Sequence, residues 1–305
     1  MDDDLTDVFR ERRRLLALGY RMTGTLADAE DVVQETYLRW YRLIEAEREA
    51  IANPAGWLTT VAGRVALDLL GSARRRREDY VGPWLPEPVP ADLFAGAIGT
   101  IGARTASLTE DPLDRVTLDD DVSTALLVVL EAMTPAERVA FVLHDVFAVP
   151  FDEIAEAVGR SSAAVRQLAA SARRHVRESR AVVVPRAEHD RVVRAFQDAT
   201  RTGEVAPLLR FLAPDVELRS DGGGVVSAAR NVVSGADNVA RFLLGIAAKN
   251  PHLTVEERQF GEGLGLVFRD GERAHSVMNL HVEDGAITQL WIVLNPAKLT
   301  HWQPR

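Results

Sequence analysis

The stretch from Pro150 to Arg177, PFDEIAEAVGRSSAAVRQLAASARRHVR, places the tightest constraint on the fold, because it reads as two short helices meeting at a glycine turn. Gly159 falls where the first helix must stop, a position glycine fills without a Cβ penalty. Ser161 or Ser162 follows as the N-cap of the second helix. Val165, Leu168, Ala169, Ala172 and Val176 then recur at helical spacing as one apolar face, with Arg166, Gln167, Arg173, Arg174 and Arg177 opposite. Between Arg160 and Arg180 stand six arginines and one acid, Glu178, in a chain of net charge −9. A helix that enters a DNA major groove needs this arrangement: cations for phosphates, and Arg or Gln forks near its N-terminus for base edges. The spacing equally fits an amphipathic helix with a solvated arginine face, since helical hairpins are common.

A chain of 305 residues is long for one core, and a second feature says where it divides. GPWLPEPVP, Gly82 to Pro90, holds four prolines in nine residues and cannot be helix interior. Residues 81–122 therefore form a linker, with eight acids against Arg104 and Arg115. Trp84, Leu85 and Pro86 are its expected anchors, because a Trp exposed in a linker is unusual. The expected domains are residues 1–80, 123–182 and 188–300. There are no cysteines, which excludes disulfides and thiolate metal sites, and the 7 histidines show no helical HxxxH pair; neither metal nor cofactor is expected. No apolar run is long enough to cross a membrane, and MDDDLTD is acidic where a signal peptide is basic, so the expected location is the cytoplasm.

Before the linker, Leu5 to Tyr20 reads as a helix, and Thr25 caps a second, in which Asp28, Asp31 and Glu35 share one face. Carboxylates in a first turn favour the helix dipole, which accounts for Asp28 but not for Glu35. The stripe is either a solvated face or a dock for a basic partner. Asn53 and Pro54 open a third helix whose Trp57, Val61, Val65 and Leu69 keep helical spacing and whose end carries Arg74, Arg75, Arg76 and Arg77. With Arg64, that end suits a nucleic-acid backbone; cations at a helix C-terminus are also favoured by the dipole. After the linker, Thr134, Pro135 and Glu137 form a capping box that starts a helix over Ala136 to Val146.

Beyond Pro185 the texture turns mixed. Helices are expected over Glu188 to Thr202 and Ala236 to Ala248, and strands over Leu253 to Phe260, Leu264 to Arg269, Arg273 to Glu283 and Ala286 to Leu294, with Asp270-Gly271 and Asp284-Gly285 as turns. Helices followed by a meandering sheet indicate an α+β domain.

The first 180 residues resemble a group IV (extracytoplasmic-function) sigma factor of bacterial RNA polymerase. DAEDVVQET and NPAGWLTTVAGRVALDLL are similar to regions 2.2 to 2.4, and TPAERVAFVLHDVF and FDEIAEAVGRSSAAVRQLAASARRHV to region 4. The resemblance implies all-α sigma-2 and sigma-4 domains and a stress-type alternative sigma factor whose partners are the polymerase core, through the β′ clamp helices and β flap, and promoter DNA. It implies that Asp28, Asp31 and Glu35 dock on the core, that Arg64 and Arg74 to Arg77 engage the −10 element, and that Arg160, Ser162, Arg166, Gln167, Arg173 and Arg174 serve the −35 element. Gly71 departs from the charged residue often found there.

Residues 188–296 resemble a SnoaL-like domain of the NTF2 superfamily, a cone with a curved antiparallel sheet. Trp84-Leu85-Pro86, Asp221 with Gly222, Gly223 and Gly224, and Asn295-Pro296 with Lys298 are similar to segments of the sigma-J type, which carries such a tail. Val225 and Ala297 depart from that type, which has lysine and an acid there. The implied role is a built-in regulator meeting the linker and the sigma domains. The alternative is a tail that binds a small-molecule ligand or acts as an isomerase or cyclase, with His275 and His281 lining a pocket beside Asp221. All four tyrosines lie outside this segment, which removes the usual oxyanion donor of an isomerase, and no catalytic residue is assigned.

Overall fold

The computed structural model describes residues 11–78, 80–94, 97, 122–179 and 184–304, and of residues 73–78 the backbone alone. Packing divides the chain into two compact units: Met1–Glu78 with Phe94–Asp120 and Leu126–Ala181, and Asp79–Leu93 with Asp121–Ala125 and Val182–Arg305.

The first unit is helical. Helices α1 (Arg12–Thr23) and α2 (Leu26–Arg42) form a hairpin closed by Gly24 at φ 76°, whose N–H bonds to the Tyr20 carbonyl. Thr25 then caps α2 by accepting the Asp28 N–H at 3.2 Å. A short α3 (Glu45–Glu49) leads to α4 (Pro54–Glu78), which starts where Asn53 accepts the Gly56 N–H at 3.0 Å and packs on both α1 and α2. Trp40 and Trp57 lock α2 to α4 edge to face, with centroids 5.3 Å apart. The expected stripe on α4 is rotated by about one position: Leu58, Ala62, Val65, Ala66 and Leu70 are buried, whereas Trp57, Val61 and Leu69 are only partly so. Neighbours on more than one side explain the shift, because α4 also meets the helices after the linker.

Those helices are α5 (Thr124–Ala132), whose first two residues belong to the second unit, α6 (Pro135–Phe141), α7 (Phe151–Val158) and α8 (Ser162–Glu178). The expected helix to Val146 changes to a π-turn over Val142–Val146. Its Leu143 approaches α4 at Gly63, where a Cβ would fall 2.6 Å from the Leu143 side chain. Arg138, buried, donates to the Met22 carbonyl at the end of α1 and pairs with Glu131 at 3.0 Å.

The second unit is a six-stranded sheet with helices on one face. Strands β1 (Leu212–Asp221), β2 (Val233–Ser234), β3 (Thr254–Gln259), β4 (Leu264–Asp270), β5 (Arg273–Glu283) and β6 (Ala286–Val293) lie in the order β2-β1-β6-β5-β4-β3. The meander β3 to β6 is antiparallel as expected, but β1 joins it parallel to β6. That pairing is non-local, so no turn in the sequence announces it. Helices α9 (Arg186–Arg201), α10 (Val205–Leu209) and α11 (Ala236–Lys249) cover one face and fill it with Phe196, Leu208, Val239 and Leu243 against Leu218, Met278, Leu280 and Leu290. The alternate residues Val277, Asn279, Trp291 and Val293 are buried on the other face. No described helix is long and apolar enough to cross a membrane.

The capping box at Thr134 is formed, with Glu137 returning to the Thr134 N–H at 3.0 Å. Partial burial would raise the Glu137 carboxyl, but hydrogen bonds from Thr134 and Ser171 outweigh it and hold it below its ordinary value. Thr134→Ala is therefore expected to destabilise the protein by about 1 kcal/mol in urea unfolding at neutral pH. Because the native carboxyl titrates below the unfolded one, the Glu137 contribution is present above the ordinary value of 4.5 and is lost as pH falls through the lowered one; the gap between wild type and Glu137→Gln closes in that direction.

Candidate functional site

Asp221, the last residue of β1, is fully buried, and its carboxylate gathers what the sequence only listed as separate motifs. One oxygen accepts the Tyr80 hydroxyl and the Gly223 N–H at 2.9 Å; the other accepts the Leu85 N–H at 3.0 Å and the Lys298 ammonium at 2.8 Å. Lys298 also donates to the Leu85 carbonyl and lies 4.0 Å from the Trp84 ring centroid and 5.3 Å from that of Tyr80. Asn295 completes the cluster. Its amide donates to the Tyr80 oxygen at 2.9 Å, and its carbonyl caps the short turn Pro296–Lys298 at the Ala297 N–H. A buried ion pair persists only if its remaining lone pairs and protons are satisfied, and here the proline-rich segment supplies the partners.

The glycines after Asp221 make this approach possible. A Cβ on Gly222 would fall 2.2 Å from the Val226 carbonyl oxygen, and Gly223, at φ 65°, would put one 2.5 Å from the Asn295 side chain. Gly224, at φ 72°, would put a Cβ 3.3 Å from the Val81 side chain, and Val225 projects into solvent, 80% exposed. Leu85 and Pro86 are buried, Trp84 partly so. The segment continues along the unit, where the Trp302 indole donates to the Pro88 carbonyl at 2.8 Å. Sequence reading missed Tyr80 and Trp302. Tyr80 directly precedes the proline run, and Trp302 follows the expected domain end; an aromatic with a polar tip beside a proline anchor was the available signal.

His281 is buried near Trp291, ring centroids 6.4 Å apart, and His275 is half-buried. The partners of Asp221 named above include neither. Beside Asp221, where the ligand-binding alternative puts a pocket, stand the chain's own Tyr80 and Leu85. Among the described residues no group of His, Asp or Glu has the geometry of a metal site.

In the first unit α7 ends at Gly159, left-handed at φ 68°, and Ser161 caps α8 by accepting the Ala164 N–H. Val165, Ala169, Ala172 and Val176 are buried and Leu168 partly so. Ser162 donates to Asp152, tying α8 to α7. Arg166, Gln167 and Arg174 are exposed together on the outer face, with Arg166 5.3 Å above the Phe151 ring and Arg174 bonded to Ser171. Arg160 is exposed just before the helix. Arg173 differs: its guanidinium pairs with Asp145 at 2.6 Å and is partly buried, which orients α8 on the π-turn.

On α2, Asp31 is exposed, Glu35 pairs with Arg39 at 3.0 Å, and Asp28 accepts from the Thr25 hydroxyl. The stripe continues at helical spacing into Leu38, and Tyr41 and Ile44 lie just beyond; the three are 50%, 43% and 65% exposed, an apolar extension the sequence did not signal. Burial, with the nearby Tyr41, pushes the Tyr37 hydroxyl up to about 12. Arg64 is exposed on α4, while the side chains of Arg74, Arg75, Arg76 and Arg77 lie outside the described residues.

Residues 8–76 match the family described as Sigma-70 region 2, and residues 123–176 match Sigma-70, region 4. The chain is 40% identical over 301 residues to the ECF RNA polymerase sigma factor SigJ of Mycobacterium tuberculosis, covering 95% of this chain and 91% of that protein. It is 37% identical over 300 residues to the probable ECF RNA polymerase sigma factor SigI of the same organism, covering 97% and 95%. The crystal structure of M. tuberculosis SigJ matches with a TM-score of 0.72 at 37% identity, over 98% of this chain and 99% of that one. The chain belongs to the extracytoplasmic-function sigma factors and is an alternative sigma factor; the relatives it matches are sigma factors, not enzymes.

Removing one member of the Asp221–Lys298 pair leaves the other charge buried without its counter-ion. Lys298→Met is expected to lower stability by about 3–5 kcal/mol in urea unfolding, and Asp221→Asn combined with Lys298→Met by clearly less.

Proposed function

We propose that this sigma factor directs RNA polymerase core to promoters through three surfaces, and that its C-terminal domain regulates it by gripping the connector between regions 2 and 4. Asp28, Asp31 and Glu35, extended by Leu38 and Tyr41, form the core-docking face on α2. Arg64 and the arginines at 74–77 engage the −10 element. Arg160, Ser162, Arg166, Gln167 and Arg174 present region 4 to the −35 element, with Arg173 holding the helix through Asp145. The work is cytoplasmic, where polymerase and promoter are. The β′ clamp helices and the β flap are the core's contact points.

The observation that carries the regulatory reading is that the buried Asp221–Lys298 pair takes its remaining hydrogen bonds from Tyr80 and Leu85 of the connector. A domain built to receive a ligand leaves such groups convergent on a cavity; here the chain itself occupies them. The space between helices and sheet is filled by Phe196, Val239, Leu280 and Leu290, which argues for a non-catalytic tail.

Run-off transcription with purified polymerase core tests this on the full chain. Tyr80→Phe, and Asp221→Asn with Lys298→Met, are expected to change promoter-dependent transcription severalfold while leaving core binding intact. Transcription equal to wild type in both would return the tail to the ligand-binding or catalytic alternative.

At the −35 element, Arg166→Ala or Gln167→Ala is expected to alter base preference by about 1–3 kcal/mol where a bidentate contact is lost. Arg174→Ala should instead weaken binding at all sequences and lower the salt slope by about 1, read from binding isotherms of holoenzyme across a salt series.

A further inference from the structure

The connector is held at a second place, where region 4 begins. The loop between β3 and β4 brings Glu262, buried, to the start of α5. One carboxylate oxygen of Glu262 accepts the backbone N–H of Thr124 and, at 3.2 Å, that of Ala125. First-turn amides have no partner within their own helix, and the Glu262 carboxyl supplies one; burial raises that carboxyl above its ordinary value, and the hydrogen bonds from Thr124 act against the shift. Asn279 of β5 donates to the Thr124 hydroxyl at 2.6 Å. Gly261 lies so near that a Cβ would fall 2.3 Å from the Val122 carbonyl oxygen. The loop is itself rigidly seated: Phe260 and Gly263 exchange backbone hydrogen bonds, and the Leu264 N–H bonds to Asp190 at 2.8 Å. Phe260 also stacks on Trp302, centroids 5.2 Å apart, the residue whose indole holds Pro88.

We propose that Gly261, Glu262 and Asn279 form a second clasp that fixes the first residues of region 4 on the C-terminal domain, so that both ends of the connector are anchored there and the accepted spacing between −10 and −35 elements is set by this domain. The inference rests on the reading of the tail as a regulator that grips the connector.

Two lengths support it. The first unit is a body of under 200 residues, about 40 Å across by the usual size scaling, whereas the two promoter elements lie about 85 Å apart along B-DNA. Regions 2 and 4 must therefore separate to read both, and the connector and its anchors then determine where region 4 can reach. One base pair of spacer moves the −35 element by about 3.4 Å. Discrimination at that scale needs the far end held, and Glu262 and Asn279 hold it.

The test uses full-length protein with polymerase core on promoters identical except for spacers one and two base pairs shorter or longer than the best. Wild type is expected to fall at least tenfold across that range. Glu262→Ala and Asn279→Ala should flatten the profile to within about threefold, and Glu262→Gln, which keeps an oxygen acceptor for the two amides, should retain the wild-type profile. Amide exchange at Thr124 and Ala125 reports whether the clasp has opened. A wild-type profile already flat, or variant profiles that superimpose on wild type although these amides have lost protection, would overturn the inference. If the Tyr80 and Lys298 variants change transcription while the Glu262 and Asn279 variants leave spacer choice untouched, the second clasp falls and the regulatory reading stands.

Discussion

A carboxylate and an ammonium buried side by side are stable only in company, and the rest of the second unit is arranged to provide it. Asp221 and Lys298 lose their hydration together and recover it as hydrogen bonds from Tyr80, Leu85 and Gly223 and as contact with the Trp84 ring. The pair alone adds little net stability, because desolvation offsets most of its attraction. The proline-rich segment meets the pair through the Tyr80 hydroxyl and the Leu85 N–H and carbonyl. Gly223 follows from the same requirement, because backbone must pass close to Asn295 there.

The helical unit solves a different problem. On α8 an exposed cationic face and a fixed orientation are supplied by different arginines. Arg173 pairs with Asp145 and Ser162 donates to Asp152, while Arg166, Gln167 and Arg174 are exposed. On α2 the exposed Asp31 and Leu38 lie two turns apart on one helical face.

Much of this was readable from local chemistry. Gly159, Ser161, Thr25, Asn53 and Thr134 all act at the helix ends where their residue types place them, and the hairpin turns at Gly271 and Gly285 define β4 to β6. Capping and turn formation involve residues three or four apart, so the sequence by itself determined the helix-turn-helix and the meander. It also marked Asp221, Asn295 and Lys298 as belonging to motifs. Only the tertiary structure decided that β1 lies parallel to β6, that α4 buries Leu58 and Ala62 rather than Trp57 and Val61, and that Tyr80, Glu262 and Trp302 matter at all. Those outcomes depend on partners outside the local sequence, and Tyr80 is more than a hundred residues from Asp221, as Thr124 is from Glu262. Periodicity and caps carry no information across that distance; burial and the pairing of charge decide there.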